Sequence, residues 1–290
     1  MSYTQTSPCK LYVEVDYKEQ ETVIEFTGKI LMDAYPELIN KDNIGRCFDH
    51  INRMGFCRVD VDMVLEYGKV CSMDVTKDVP CTDVAALSEW LRTHIVNHRK
   101  YLARNIGGNL TIEKNVRTKA YRRRLTVYDK EKELRRADNQ DFMASLTDPE
   151  CLLSYFKGRI RFEYNLNTKQ SIRQVLNIGD TTINSILGSD ARPIYDFVND
   201  VISEDREADS ACLSWTDRKN LALLRDCDMD LSKVETEIRT YASKGSHLSQ
   251  MIKPYRELWS RINGKRSEFK TNLLGLLLET TIMLPLLLVW

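Results

Sequence analysis

The chain has 290 residues, of which 42% are apolar and 29% charged, so it holds one large globular domain or two modest ones. Its 42 Lys and Arg against 42 Asp and Glu leave no net charge, which excludes a uniformly basic protein that grips duplex DNA by bulk counterion displacement. Eight cysteines, scattered without a CxxC pair, exclude a zinc ribbon and a secreted disulfide framework and point to a reduced, cytoplasmic protein.

Residues 1–10 are polar and do not read as a signal peptide. Leu11, Val13 and Val15 then alternate with Tyr12, Glu14 and Asp16, and an apolar run at 23–26 follows a polar turn, so two paired strands open the fold. Ile44, Cys47, Phe48, Ile51 and Met54 recur at helical spacing between Asn43, a cap, and Gly55, a stop. Residues 56–67 switch to period two, with Cys57, Val59, Val61, Met63 and Leu65 on one side and Arg58, Asp60 and Asp62 on the other. This predicts a strand presenting two carboxylates. After a polar turn, 84–102 reads as an amphipathic helix burying Leu87, Trp90, Leu91 and Ile95, and Gly107 and Gly108 mark a turn. Cys47 with His50, and His94 with His98, lack a second pair of metal ligands and read as ordinary helix residues.

Residues 121–130 predict another strand, with Leu125 and Val127 on one face and Arg122, Arg124, Thr126, Tyr128 and Lys130 on the other. A third follows at 159–166, where Ile160, Phe162, Tyr164 and Leu166 oppose Arg159, Arg161, Glu163 and Asn165. The charge is concentrated here: residues 114–136 carry ten basic and three acidic side chains, a local net of +7 in a protein of net zero. Beyond about 171 strand signals give way to helical periodicity at 182–187, 193–202, 216–226, 231–241 and 248–262. The expected architecture is α+β, an antiparallel sheet with helices on one face, followed by an all-α C-terminal domain. The boundaries fall at residues 1–172, 173–270 and an apolar tail, 271–290, which is interrupted by Glu279 and Pro285 and is read as packed on the body, with no membrane partner expected.

If the three strands lie side by side with their apolar faces covered, their polar faces bring together an aspartate pair, a tyrosine flanked by bases and a glutamate flanked by arginines. Such a set suits phosphodiester cleavage, which needs a nucleophile, a proton acceptor and neutralisation of the phosphoryl oxygens. Tyr128 is the nucleophile candidate and Lys130 the cation that favours its phenolate. Asp60, Asp62 and Glu163 are hard oxygen ligands for Mg²⁺ or Mn²⁺. Lys119, Tyr121, Arg122, Arg123, Arg124 and Arg161 are the DNA-contacting candidates, the cations on phosphates and Tyr121 stacked on a base.

The ordered series Phe56-Cys57-Arg58-Val59-Asp60, Leu125-Thr126-Val127-Tyr128-Asp129-Lys130 with Glu133, and Arg159-Ile160-Arg161-Phe162-Glu163 resembles that of rolling-circle replication initiators of small plasmids, the Rep_trans type. More distantly it is similar to the replication nickases of filamentous phages. The resemblance covers roughly residues 11–166. It implies that Tyr128 attacks the DNA, that Lys130 assists, and that Asp60 and Glu163 hold the metal; the second acid that many relatives carry four residues beyond the first is Val64 here, which leaves Asp62 open as a ligand. It further implies a nicking domain that recognises a double-strand origin, as hairpin or single strand, and becomes joined to the 5′ end while the free 3′-hydroxyl primes synthesis. A host helicase and a second copy of the chain are the further partners it admits.

Three rivals bear on the same residues. A tyrosine recombinase would place its nucleophile near the C-terminus, and the one His-x-x-Arg here, His50 to Arg53, lies in the first quarter. A plasmid-transfer relaxase relies on a histidine cluster, and none of the four histidines falls on the three strands. A non-enzymatic origin-binding initiator needs basic recognition helices, whereas the helical half is mixed in charge.

Overall fold

The computed structural model of the chain describes residues 1–6, 8–55, 57–96, 100–116, 123–202, 213–242, 247–263, 269–278 and 286–289. Among these, nine strands form one antiparallel sheet: β1 (Ser2–Gln5), β2 (Leu11–Asp16), β3 (Glu21–Phe26), β4 (Lys69–Pro80), β5 (Tyr101–Ile106), β6 (Asn109–Lys114), β7 (Arg123–Asp129), β8 (Arg159–Leu166) and β9 (Leu286–Val289). Their order is β1-β2-β3-β9-β4-β8-β7-β6-β5. The alternations at 11–16, 23–26 and 159–166 are strands, the one expected at 121–130 is a strand over Arg123–Asp129, and the chain is α+β with a helical C-terminal region.

The first helices, α1 (Ile44–Arg53), α2 (Val61–Tyr67) and α3 (Val84–Thr93), show where local pattern and tertiary structure part. α1 forms as its spacing predicts, burying Ile44, Cys47, Phe48 and Ile51, and Gly55 follows it at φ 77°. Of the strand expected at 56–67, the described residues 57–67 form none: Val61–Tyr67 are helical. The Asp60 carboxylate accepts a hydrogen bond of 3.1 Å from the Met63 amide and caps α2, so the period-two alternation of this stretch is overridden by a strong N-cap and by burial of Val64 on a helical face. α3 stops at Thr93, and of the residues expected to continue it Tyr101 and Leu102 open β5, which pairs with β6 across Gly107 and Gly108. Both glycines have positive φ, 60° and 84°, which a two-residue hairpin turn requires.

The missing strand is β4, which lies where the sequence reads as a polar turn. A register shift between Val70 and Ser72 breaks its alternation, so Val70, Met73, Val75 and Val79 are buried while no clean period shows. β4 pairs along eight residues with β8, and β8 along seven with β7.

The back of the sheet buries Val75, Leu110, Ile112, Leu125, Val127, Ile160, Phe162 and Leu166. It is covered by α3 together with α7 (Lys169–Leu176), α8 (Ile183–Leu187) and α9 (Pro193–Val201). The front is not left bare. A tight segment, Gly28–Glu37, and the short helices α4 (Lys130–Leu134), α5 (Gln140–Ala144) and α6 (Pro149–Phe156) carry a second cluster built on Tyr35, Leu134, Phe142 and Phe156. Helices therefore lie on both faces, where the sequence pattern suggests one.

The chain divides into two compact units, Met1–Ser203 with Leu273–Trp290, and Glu204–Asn272. The division falls after α9, later than the 172/173 boundary read from the sequence, because α7 and α9 pack on the sheet. The smaller unit contains α10 (Trp215–Asp226), α11 (Leu231–Tyr241) and α12 (Leu248–Asn263), held by Leu221, Leu224, Val234, Ile238, Ile252 and Leu258. In the apolar tail, α13 (Phe269–Leu278) buries Leu273 and Leu277, and β9 pairs on either side with β3 and β4. Among the described residues no helix is long and apolar enough to cross a membrane.

The capping role of Asp60 is open to test. Asp60→Ala is expected to lower stability in urea by about 1 kcal/mol, the usual worth of an N-cap, without changing any metal dependence of the protein.

Candidate active site

The antiparallel register puts three rows of polar residues on the front of β4, β8 and β7. Asp74, Asn165 and Arg124 form one row, Thr76, Glu163 and Thr126 the next, and Asp78, Arg161 and Tyr128 the third. Of these, Asp74, Thr76, Glu163, Arg161 and Tyr128 line a cleft of about 540 Å³ together with Lys29, Tyr35, Lys130 and Glu133.

Tyr128 sits in this cleft with 6% of its surface exposed, and its hydroxyl donates to Glu163 Oε1 at 2.6 Å. Burial, then the Glu163 charge, raise its pKa well above the ordinary tyrosine value, with the Arg161 guanidinium opposing. The hydroxyl is thus a neutral donor at neutral pH, already on the carboxylate that can take its proton.

Lys130 does not prolong the strand. Asp129 caps α4 by accepting from the Lys132 amide at 2.9 Å, so Lys130 becomes the first helical residue and is buried. Its ammonium donates to Glu133 Oε2 at 2.6 Å and lies 5.5 Å from the centre of the Tyr128 ring and 5.3 Å from that of Tyr35. Burial pushes this ammonium down, while Tyr35, Glu133 and Glu163 push it up more strongly, so it stays charged. Glu133 also accepts from Asn139 at 3.1 Å, and Asn139 in turn accepts from Lys29. Lys29 has its pKa lowered, chiefly by burial.

Arg161, read from the sequence as a DNA contact, is corrected by the structure. It is 2% exposed, and all three nitrogens of its guanidinium donate: two bonds of 2.7 Å to Asp78 and one of 2.6 Å to the Tyr35 hydroxyl. The Tyr35 and Phe156 rings stack on it at 5.1 Å. Its role is to fasten β8 to β4 and to hold Tyr35 in the cleft.

Asp60 and Asp62 do not join Glu163. Both lie at the start of α2, and neither lines the cleft. The carboxylate that β4 brings beside Glu163 is Asp74, which accepts from Asn165 and whose pKa is raised by burial first and by the Glu163 charge as well. Asp74, Asp78, Lys29 and Tyr35 are the residues that sequence reasoning missed; the interrupted alternation of β4 was the one available signal for the two aspartates. Of the DNA-contacting candidates, Lys119, Tyr121 and Arg122 lie outside the described residues. Arg123 points to the back of the sheet, where it donates to Gln174 at 3.2 Å, and Arg124 is exposed on the front beside Asn165.

Among the described residues no group of three or more His, Cys, Asp or Glu side chains is arranged to hold a metal. Asp74 and Glu163 are carboxylates on adjacent strands that both line the cleft, the type of donor Mg²⁺ takes one or two of alongside waters and substrate phosphates.

Residues 46–185 match the Phage_CRI family model, which describes the N-terminal region of a phage replication-associated protein. The matched stretch contains β4, β7 and β8 and with them Asp74, Tyr128, Lys130, Arg161 and Glu163, while Lys29 and Tyr35 precede it. The match supports, in coarse terms, a rolling-circle replication initiator, with origin DNA as the implied partner; it does not support the Rep_trans type. Neither the curated proteins nor the solved structures contain a match.

The electrostatics of this region can be tested at Asp74, which lines the cleft, and at Asp78, the buried partner of Arg161. Asp78→Ala strands a buried guanidinium and is expected to cost about 3–5 kcal/mol in chemical denaturation. Asp74→Asn is expected to raise the thermal midpoint near neutral pH. The raised carboxyl of Asp74 carries no penalty below about pH 3.9, where both states are protonated, and an increasing one as pH rises through its folded value. The stabilisation by Asp74→Asn therefore vanishes below that range in scans over pH.

Proposed function

We propose that the chain initiates rolling-circle replication by nicking one strand of origin DNA through attack of Tyr128 on a phosphodiester. The observation that carries this reading is the 2.6 Å hydrogen bond from the Tyr128 hydroxyl to Glu163, in a cleft that also holds the ammonium groups of Lys29 and Lys130.

In the proposed reaction a bond forms between Tyr128 Oη and phosphorus while the bond from phosphorus to the 3′ oxygen breaks. The phenolic proton passes to Glu163 Oε1, its existing acceptor. The departing 3′ oxygen takes a proton from Lys29, which burial makes a readier acid, and the products are a 5′-phosphotyrosine and a 3′-hydroxyl primer. Lys130 stays paired with Glu133 and contributes positive field to the phosphoryl oxygens. A Mg²⁺ or Mn²⁺ held by Asp74 and Glu163 would supply Lewis-acid polarisation of the scissile phosphate. Arg124, exposed on the same face, supports a contact to the phosphates flanking the cleft.

The test is a nicking assay on supercoiled DNA bearing the cognate origin, with Mg²⁺ or Mn²⁺ and with EDTA. Tyr128→Phe is expected to yield neither nicked circle nor covalent adduct while shifting origin DNA as the wild type does. Glu163→Gln should slow nicking by about 10²–10⁴-fold, the range for loss of a general base. Covalent adduct formed by Tyr128→Phe would sink the assignment.

A further inference from the structure

A second cleft, of about 330 Å³, lies on the back of the sheet near the ends of β5 to β8. Its size is at the small end of the range of ligand pockets, about 300–1,000 Å³. Tyr101, Tyr164 and Phe197 form its floor. Phe197 meets Tyr101 edge-on with centroids 5.8 Å apart and Tyr164 at 4.9 Å, so the three rings fix one another. Tyr101, on β5, is half-buried and is the ring of the three that retains most exposed surface. One rim is basic, with Lys114 directly opposite Tyr101 across β5 and β6, Arg123 held by Gln174, and Lys100, whose ammonium lies 5.3 Å from the centre of the Tyr101 ring and would have to swing from that face for a base to stack there. The other rim is acidic, formed by Asp196 and Asp200 one turn apart on α9, both exposed.

Each wall answers a different part of one molecule. Cations on one side suit a phosphate, an aromatic ring suits a stacked base, and carboxylates accept from exocyclic amino groups on a base edge. A simple anion would be repelled by the aspartates, and an apolar ligand would strand both charged rims. We propose that this cleft binds a single unpaired nucleotide, its phosphate against Lys114 and Arg123, its base on Tyr101, and the amino group of cytosine, adenine or guanine donating to Asp196 or Asp200. The nucleotide is either free or a unit of single-stranded DNA. The Tyr128 side chain lies on the opposite face of the sheet, away from this cleft.

Binding to the full-length protein is measured for dCMP and dTMP and for short oligodeoxycytidine and oligodeoxythymidine, by calorimetry for the monomers and fluorescence anisotropy for the oligomers. The same set is run on Tyr128→Phe, so that failure of the nicking reading leaves this measurement intact. Cytosine is expected to bind roughly tenfold tighter than thymine, which lacks the amino group. Asp196→Asn combined with Asp200→Asn should erase that preference, and Tyr101→Ala should weaken every ligand by about tenfold through lost stacking. Thermal melts identify any variant that fails to fold, and the two conservative asparagine changes keep the test open if Tyr101→Ala does. Saturable binding of the monomers identifies a free nucleotide as ligand, and binding of the oligomers alone identifies single-stranded DNA. No binding of any of the four, or a base preference that survives the double variant, overturns the proposal.

Discussion

The ion pair between Arg161 and Asp78 is the constraint on which the front of the sheet depends. Both side chains are almost wholly buried, and burial of two charges is tolerated only where geometry and further hydrogen bonds compensate. Here the fork of the guanidinium meets both carboxylate oxygens and its remaining arm holds the Tyr35 hydroxyl. The pair locks the register of β4 against β8, and that register decides which residues stand beside Tyr128. A slip of β4 by one residue would turn Asp74 and Asp78 to the opposite face of the sheet, away from Glu163 and Arg161.

Around that fixed frame the charges are arranged in opposition. Glu163 draws on the Tyr128 proton, while Lys130, close to the rings of Tyr128 and Tyr35, is itself tied to Glu133. Lys29 reaches the same network through Asn139. The groups nearest the hydroxyl are therefore held by neighbours before any substrate arrives, the condition under which electrostatic stabilisation is least costly.

The strands carrying Tyr128 and Glu163 were legible because their alternation is unbroken and each buries one face, through Leu125 and Val127 in β7 and Ile160, Phe162, Tyr164 and Leu166 in β8. The aspartate strand was misplaced. Residues 57–65 alternate more cleanly than β4 does, yet Asp60 caps a helix, and the true strand hides its period behind an irregularity at Val70 and Ser72. Lys29 and Tyr35 could not be read at all, since the segment Gly28–Glu37 is neither strand nor regular helix and its place over the sheet is set by contacts distant in sequence, such as Arg161 to Tyr35. Arg161 itself reads as a surface base because alternation shows which face of a strand is polar and not whether that face is covered.

The position of β9 bears on how the sheet comes together. It is inserted between β3 and β4, so the strand pairing that unites the two blocks of the sheet joins Phe26 to Leu286, near opposite ends of the chain. Closing so long a loop costs entropy before any contact repays it, which makes this the slow, late step of assembly. Until it occurs, β3 and β4 each present an unpaired edge, and the protein's exposure to aggregation is greatest in that interval.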